Sequence, residues 1–365
     1  MKSNKYKILF LVLITAFAYP TVMKAQFTIN GHVPSLPDGS KIYFDYGGRH
    51  VDSVLVKNSS FVINGKALDC PGYCNVTDEK RQYGAMFWVD NGDNVRMDEN
   101  GKSIHISGAK VEDEYQLYRQ HMSDIRKKEQ DIVKKGKEAE LLRDTALYKA
   151  YQAQLENMRL QEDSVFIEFL KSHPSSYISL NHIYNCRVLG KYPFSRYNSM
   201  CKYLTPGAFK GKQWNDFMEI YHKDEKLQPG HQMPDFVLPD IFDTPIRLSD
   251  CRGKVVLLTI GSGPLDDYKA MLPVKKKLYA SYGKKKLEII DILLDSSKDG
   301  LLKVMANNNV SWTFVSDYKG WNSPLLKSWG IDHLCQTFVI DAQGKIIANN
   351  VFGDELAHQV ESLFK

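Results

Sequence analysis

At 365 residues the chain is too long for one ordinary core and calls for two or three units of roughly 100 to 150 residues. Its 43% hydrophobic and 25% charged residues are ordinary globular values, which excludes a disordered chain and a polytopic membrane protein. The net charge of +5 is mild, and the lysine runs 275–277 and 284–286 lack the interleaved aromatic side chains of a stacking surface; they read as solvated helix faces, and no nucleic-acid partner is expected.

Lys2, Lys5 and Lys7 precede the apolar run Ile8 to Tyr19, then Pro20, with a small residue, Ala25, before Gln26. This pattern predicts a signal peptide over residues 1–25, cleaved near Ala25. The run is shorter than the roughly 20 apolar residues that span a bilayer, so no stable membrane insertion is expected after cleavage. No cysteine lies at the cleavage zone, which argues against a lipid anchor, and the mature chain is expected in the periplasm or otherwise exported.

Residues 26–110 carry short β-type runs, among them Phe27 to Val33, Lys41 to Tyr46, Val51 to Val56, Ala85 to Val89 and Asn94 to Met97. Asp38-Gly39, Asn64-Gly65, Asn91-Gly92 and Asn100-Gly101 supply the turns between them. The spacing predicts a small antiparallel β-sandwich. Within it, Cys70-Pro71-Gly72-Tyr73-Cys74 either turns at Pro-Gly and forms a local disulfide or holds two packed cysteines apart on an extended strand.

From about Val111 to Leu170, Glu, Lys, Arg, Gln and Leu dominate without proline, and Tyr115, Tyr118, Met122 and Ile125 recur at helical spacing. A second helical stretch, interrupted at Pro174, Pro193 and Pro206, runs on to about His222, where Cys186 and Cys201 could pair across a hairpin. Residues 111–228 are thus a helical region ending in a polar linker, Leu227 to Asp235.

Residues 229–365 alternate strand and helix. Val255 to Ile260 leads to a helix from about Leu265, and Leu287 to Leu294 leads to one from Asp299 to Asn307. Strands Thr337 to Ile340 and Ile346 to Asn349 turn at Gln343-Gly344, and a helix from Asp354 to Phe364 follows. The order predicts an α/β domain with a mixed central sheet and helices on both faces.

These residues also carry a resemblance. Gly230-x-x-Met233-Pro234-Asp235-Phe236-x-Leu238-x-Asp240, then Leu248-Ser249-Asp250-x-x-Gly253-Lys254-Val255, resembles the opening segment of TlpA/ResA-type thioredoxin-like proteins, close to the AhpC/TSA superfamily. Trp329-Gly330-Ile331 and Phe338-Val339-Ile340-Asp341-x-x-Gly344-Lys345-Ile346 resemble the hairpin that follows this family's cis-proline loop. The upstream β and helical segments are similar to an uncharacterised module that precedes such domains in exported Gram-negative bacterial proteins.

The resemblance implies a thioredoxin-like fold and thiol-disulfide oxidoreductase chemistry through Cys-x-x-Cys at a helix start, where free N–H groups and the helix dipole stabilise a thiolate. Counted back from Pro273, the two cysteine positions fall on Leu265 and Tyr268, and neither side chain can replace a thiol. Asp266 and Asp267 between them suit a first turn or cap. Gly261-Ser262-Gly263-Pro264 has no following lysine, which argues against a phosphate loop. Where the family has its cis-proline, this chain has Cys335, and loss of proline predicts a trans bond there. Cys335 is either the lone reactive thiol of the site or a packed small side chain whose pKa the nearby aspartates raise.

The groove implied by the family would be bounded by Asp266, Asp267, Leu334 and Gln336, with Tyr268, Trp321 and Trp329 as further contact candidates. The histidines are scattered, no metal motif appears, and no cofactor is expected. The leading expectation is a redox-inactive member that binds a protein or peptide client or serves as a scaffold. The alternatives are an oxidoreductase working through Cys335 and a purely structural role.

Overall fold

The computed structural model describes residues 26–46, 49–101 and 103–365; the expected signal peptide lies outside the described residues. They divide into two compact units, one reaching to Glu112 and one from Asp113 to Lys365.

The first unit holds strands β1 (Phe27–His32), β2 (Lys41–Tyr46), β3 (Arg49–Leu55), β4 (Ser60–Gly65), β5 (Gly72–Asp78), β6 (Gly84–Val89), β7 (Asn94–Asn100) and β8 (Ser103–Ser107). They form two four-stranded sheets, in the orders β4-β1-β7-β8 and β3-β2-β5-β6. Every pairing is antiparallel except β1 with β7, which is parallel. Alternate residues point inward, so Phe27, Ile29, Ile42, Phe44, Ile63, Val95 and Met97 build one apolar core. Gly31 is needed there: a Cβ on it would stand 2.1 Å from the Phe61 ring.

The local disulfide does not form, and all six cysteines are free. Gly72 opens β5 instead of a turn, so Cys74 sits mid-strand opposite Phe87 and Tyr46 and is buried in the core. Burial, aided by Asp45, pushes its thiol up to about 12. Cys186 and Cys201 are likewise unpaired; Cys186 lies against His182.

Helices α1 (Lys110–Leu141), α2 (Thr145–Ser172), α3 (Tyr177–Val188), α4 (Phe194–Cys201) and α5 (Gly211–Lys226) follow. Asp144 caps α2 by accepting from Leu147 N–H, and Ser176 caps α3 by accepting from Ile178 N–H. Pro174 falls between α2 and α3, and Pro193 is the N-cap residue of α4. Tyr118 and Met122 turn the apolar stripe of α1 inward, where Tyr118 packs on Phe166 and Phe169.

The short strands β9 (Val237–Pro239) and β10 (Pro245–Arg247) form a hairpin ahead of the central sheet. That sheet contains β11 (Val255–Gly261), β12 (Leu287–Leu293), β13 (Thr313–Val315), β14 (Gln336–Ile340) and β15 (Ile346–Asn349), in the order β13-β12-β11-β14-β15. The first three run parallel, and β14 and β15 are antiparallel to their neighbours. Around it lie α6 (Asp266–Lys286), α7 (Lys298–Asn308), α8 (Pro324–Trp329) and α9 (Gly353–Ser362). Leu257, Ile289 and Val339 pack with Met271, Leu278 and Leu356 on one face; Leu258, Ile290 and Phe338 pack with Phe236, Leu326 and Trp329 on the other. Both faces are therefore covered, and β11 and β12 are buried along their whole length.

The stretch expected to be a linker is packed. Gly230 N–H donates to Ile346 O, Met233 N–H to Gly344 O, and Leu227 and Met233 are buried. The helical layer is joined to the sheet domain through Arg187 of α3, which is 3% exposed. Its guanidinium donates to both Asp224 oxygens at 2.7 Å, to Gly330 O at 2.8 Å and to Asp332. No described helix is long and apolar enough to cross a membrane.

Alkylation and mass mapping of the native, unreduced protein is expected to find Cys70 and Cys74 as free thiols. A Cys70–Cys74 disulfide peptide would contradict the extended β5 register.

Candidate functional site

At the end of β11 the chain passes through Ser262, Gly263 and Pro264 into α6, whose N-cap residue is Leu265. The free N–H end of a helix thus stands where a nucleophile would be activated, but a half-exposed leucine occupies it. No side chain caps this end. Asp266 and Asp267 are exposed and occupy the first turn, the first of the two placements expected, and Asp266 makes a 3.5 Å ion pair with Lys269.

Tyr268 is fully buried and so is not an accessible contact residue. One helical turn inside α6, its side chain points down onto the sheet, and its hydroxyl donates to Asp291 Oδ2 at 2.7 Å. Trp312 Nε1–H donates to the same oxygen at 2.7 Å, and Lys275 Nζ donates to Oδ1 at 2.6 Å. Lys275 is not solvated, as its place in a lysine run suggested; neither it nor Asp291 is exposed at all. Its ammonium lies 5.0 Å from the Tyr268 ring centre and 5.9 Å from that of Trp312. Burial lowers the Lys275 pKa, opposed by Asp291, while burial and Asp291 raise that of Tyr268. Thr259 stands beside Asp291 in the β11–β12 register, and its buried hydroxyl finds no partner among the described residues.

Facing this cluster is the segment before β14. The Leu334–Cys335 peptide is cis, so the expected trans bond is corrected. Gln336, next in the chain, opens a strand paired with Ile260, and Cys335 is buried against Gly261. A Cβ on Gly261 would lie 3.2 Å from the Tyr268 ring and 3.4 Å from Cys335 Sγ, so glycine admits both side chains to one point. Burial pushes the Cys335 thiol up; the Ser262 backbone N–H pulls it down, and Asp267 pushes it up further.

The structure therefore brings Leu265, Tyr268 and Cys335 together, but it removes several expected contact residues from the surface. Gln336 is buried, its amide within 3.4 Å of His333 O, and Trp329 packs in the core against Phe236. Leu334 is half-buried; Asp266, Asp267 and Trp321 are exposed. Beside Gln336 lies a small cavity of about 60 Å³, lined by Tyr192, Tyr197, His333 and Asn349 among others. Asp332 accepts from Arg187 and faces His333 Nδ1 at 2.9 Å.

The residues missed from sequence were Lys275, Asp291, Trp312 and Arg187. A signal existed for the first: Tyr268, Met271, Lys275 and Leu278 recur at helical spacing, which places Lys275 on the apolar stripe. Asp291, like Glu288, is a carboxylate within a strand that is apolar at its other positions.

A five-stranded mixed sheet with helices on both faces, a helix starting after its central strand and a facing cis-peptide loop define a thioredoxin-fold domain, here without a cysteine at the helix start. Residues 229–349 match the AhpC/TSA family, and this segment is an AhpC/TSA-family domain; residues 27–115 match a domain of unknown function, DUF4369. Over 149 residues the chain is 27% identical to thiol-disulfide oxidoreductase ResA of Bacillus cereus, covering 41% of this chain and 84% of that protein. ResA of Bacillus subtilis is 24% identical over 148 residues, 40% of this chain and 81% of that one. Among solved structures, the thioredoxin domain of a thiol-disulfide oxidoreductase from Bacteroides vulgatus is 24% identical with a TM-score of 0.36, covering 38% of this chain and 99% of that chain. A thiol-disulfide oxidoreductase from Bacteroides fragilis gives 24% identity and a TM-score of 0.34, covering 36% and 98%.

Lys275→Met leaves the Asp291 carboxylate buried without its cation and is expected to cost about 3–5 kcal/mol in urea unfolding. Tyr268→Phe removes one donor of three and should cost about 1 kcal/mol.

Proposed function

We propose that this chain is an exported, redox-inactive relative of the thiol-disulfide oxidoreductases, whose thioredoxin-fold domain binds a protein or peptide client. The observation that supports the reading is the helix start: the activating N–H end of α6 is intact, but its occupants are Leu265 and the buried, hydrogen-bonded Tyr268. Dithiol exchange needs an attacking thiolate and a second thiol to resolve the mixed disulfide. Cys335 offers neither in combination, since it is buried, its thiol is pushed up, and no other cysteine lies between Arg252 and Leu334. What survives is a half-exposed apolar residue at the helix start, with two exposed aspartates next to it and the half-buried Leu334 on the facing loop. Such a surface can hold an extended chain without reacting with it.

In an insulin-reduction assay with dithiothreitol, the mature protein is expected to run at the uncatalysed rate, and Cys335→Ser to change nothing. Turnover that vanishes in Cys335→Ser would restore the enzyme reading. A photo-cross-linking amino acid at Leu265 is expected to capture an envelope polypeptide in intact cells; no product there, with the protein correctly exported, counts against the client.

A further inference from the structure

His182 joins three helices through one imidazole. Its ring stacks on Phe166 of α2 with centres 3.8 Å apart, its Nδ1 faces the Tyr118 hydroxyl of α1 at 3.2 Å, and its Nε2 faces Cys186 Sγ, one turn further along α3, at 3.5 Å. A neutral imidazole has one donor and one acceptor nitrogen, so these two contacts use both. Protonation makes both nitrogens donors, and the partner that had donated must turn its proton away within an aromatic setting.

The charges around the ring also oppose protonation. Arg126 of α1 and Lys191 after α3 are cations. Of the carboxylates on α2, Asp163 is already taken by the Tyr192 hydroxyl and Arg196, and Glu162, near Arg126 and Lys191, has its own pKa raised by burial. Tyr118, Tyr192 and Cys186 face the ring as neutral groups, each with its pKa raised by burial.

The same helix carries Arg187, five residues after His182 and bonded to Gly330 O and Asp332 just ahead of Cys335. Beyond the end of α3, Gly190 lies beside the His333 ring. We propose that α3 is a pH-operated lever: neutral His182 pins the helical layer, and its protonation on acidification frees α3 and with it the Arg187 hold on the segment 330–336. This does not rest on the client-binding reading, and its test needs no client.

Burial, with Lys191 and Arg126, holds the His182 pKa down at about 4, against 6.5 as the ordinary value. The sign follows from proton uptake: the opened state binds the proton first, so the contribution is complete above about pH 6.5 and is lost as pH falls towards 4. Opening should become about 20-fold more favourable between pH 7 and pH 5.

Hydrogen exchange with mass detection, corrected for intrinsic rates, tests this at the two pH values. In wild type, peptides covering 177–192 and 330–338 are expected to lose about 20-fold protection together, and His182→Gln should abolish that pH dependence. The same loss in His182→Gln, or loss in 177–192 with 330–338 unchanged, overturns the lever. If the variant does not fold, an NMR titration of the wild-type histidines decides: a His182 midpoint near 6.5 overturns the proposal, and one far below it supports it.

Discussion

The buried carboxylate of Asp291 organises the sheet domain. It accepts from a phenol on α6, an ammonium two turns further along the same helix and an indole at the foot of β13. An isolated charge in this position would be very costly, so the three donors and the apolar walls must form together. That requirement fixes the rotation of α6 on the sheet, because only one face of the helix can present Tyr268, Met271, Lys275 and Leu278 at once. It also fixes where the helix begins, since Tyr268 must sit one turn in from the loop at Gly261–Pro264.

The same constraint shapes the site above it. With Tyr268 turned down to Asp291, the second of the two positions that the family resemblance assigns to a dithiol is committed to the core. The first position, Leu265, is left alone at the helix start. Cys335 faces the cluster and not the solvent, and Gly261 is the residue whose missing side chain lets thiol and phenol ring meet. The helix dipole remains, with Asp266 and Asp267 in its first turn and no thiol at the helix start. A separate set of bonds, from Arg187 to Gly330 O and Asp332, holds the loop ahead of Cys335 to the helical layer.

Much of the architecture was legible in the chain. Alternating apolar residues and Asn-Gly or Asp-Gly turns announced the β-unit, and the strand–helix alternation after Gly230 announced the mixed sheet. The parallel pairing of β1 with β7 was not, because pairing partners separated by some 65 residues leave no local trace. Cys70 and Cys74 left two readings open for a related reason: Pro71-Gly72 is a turn signal locally, and the ladder from Gly72 to Val89 and from Cys74 to Tyr46, which selects the extended strand, is not local. The lysine run misled because adjacent residues on a helix point to different sides, so Lys276 and Lys277 are exposed while Lys275 is not.

By itself, the sequence determined which elements exist and that no dithiol can form between Arg252 and Leu334, because residue identity settles both periodicity and the presence of sulfur. Only the tertiary structure decided what surrounds the start of α6 and the loop that faces it. The meeting of Tyr268, Lys275, Asp291 and Trp312 depends on a helix and two strands packed at one depth, and the burial of Cys335 depends on a glycine 74 positions earlier. Such contacts are set by packing and by the need to satisfy buried polar groups, neither of which local sequence encodes.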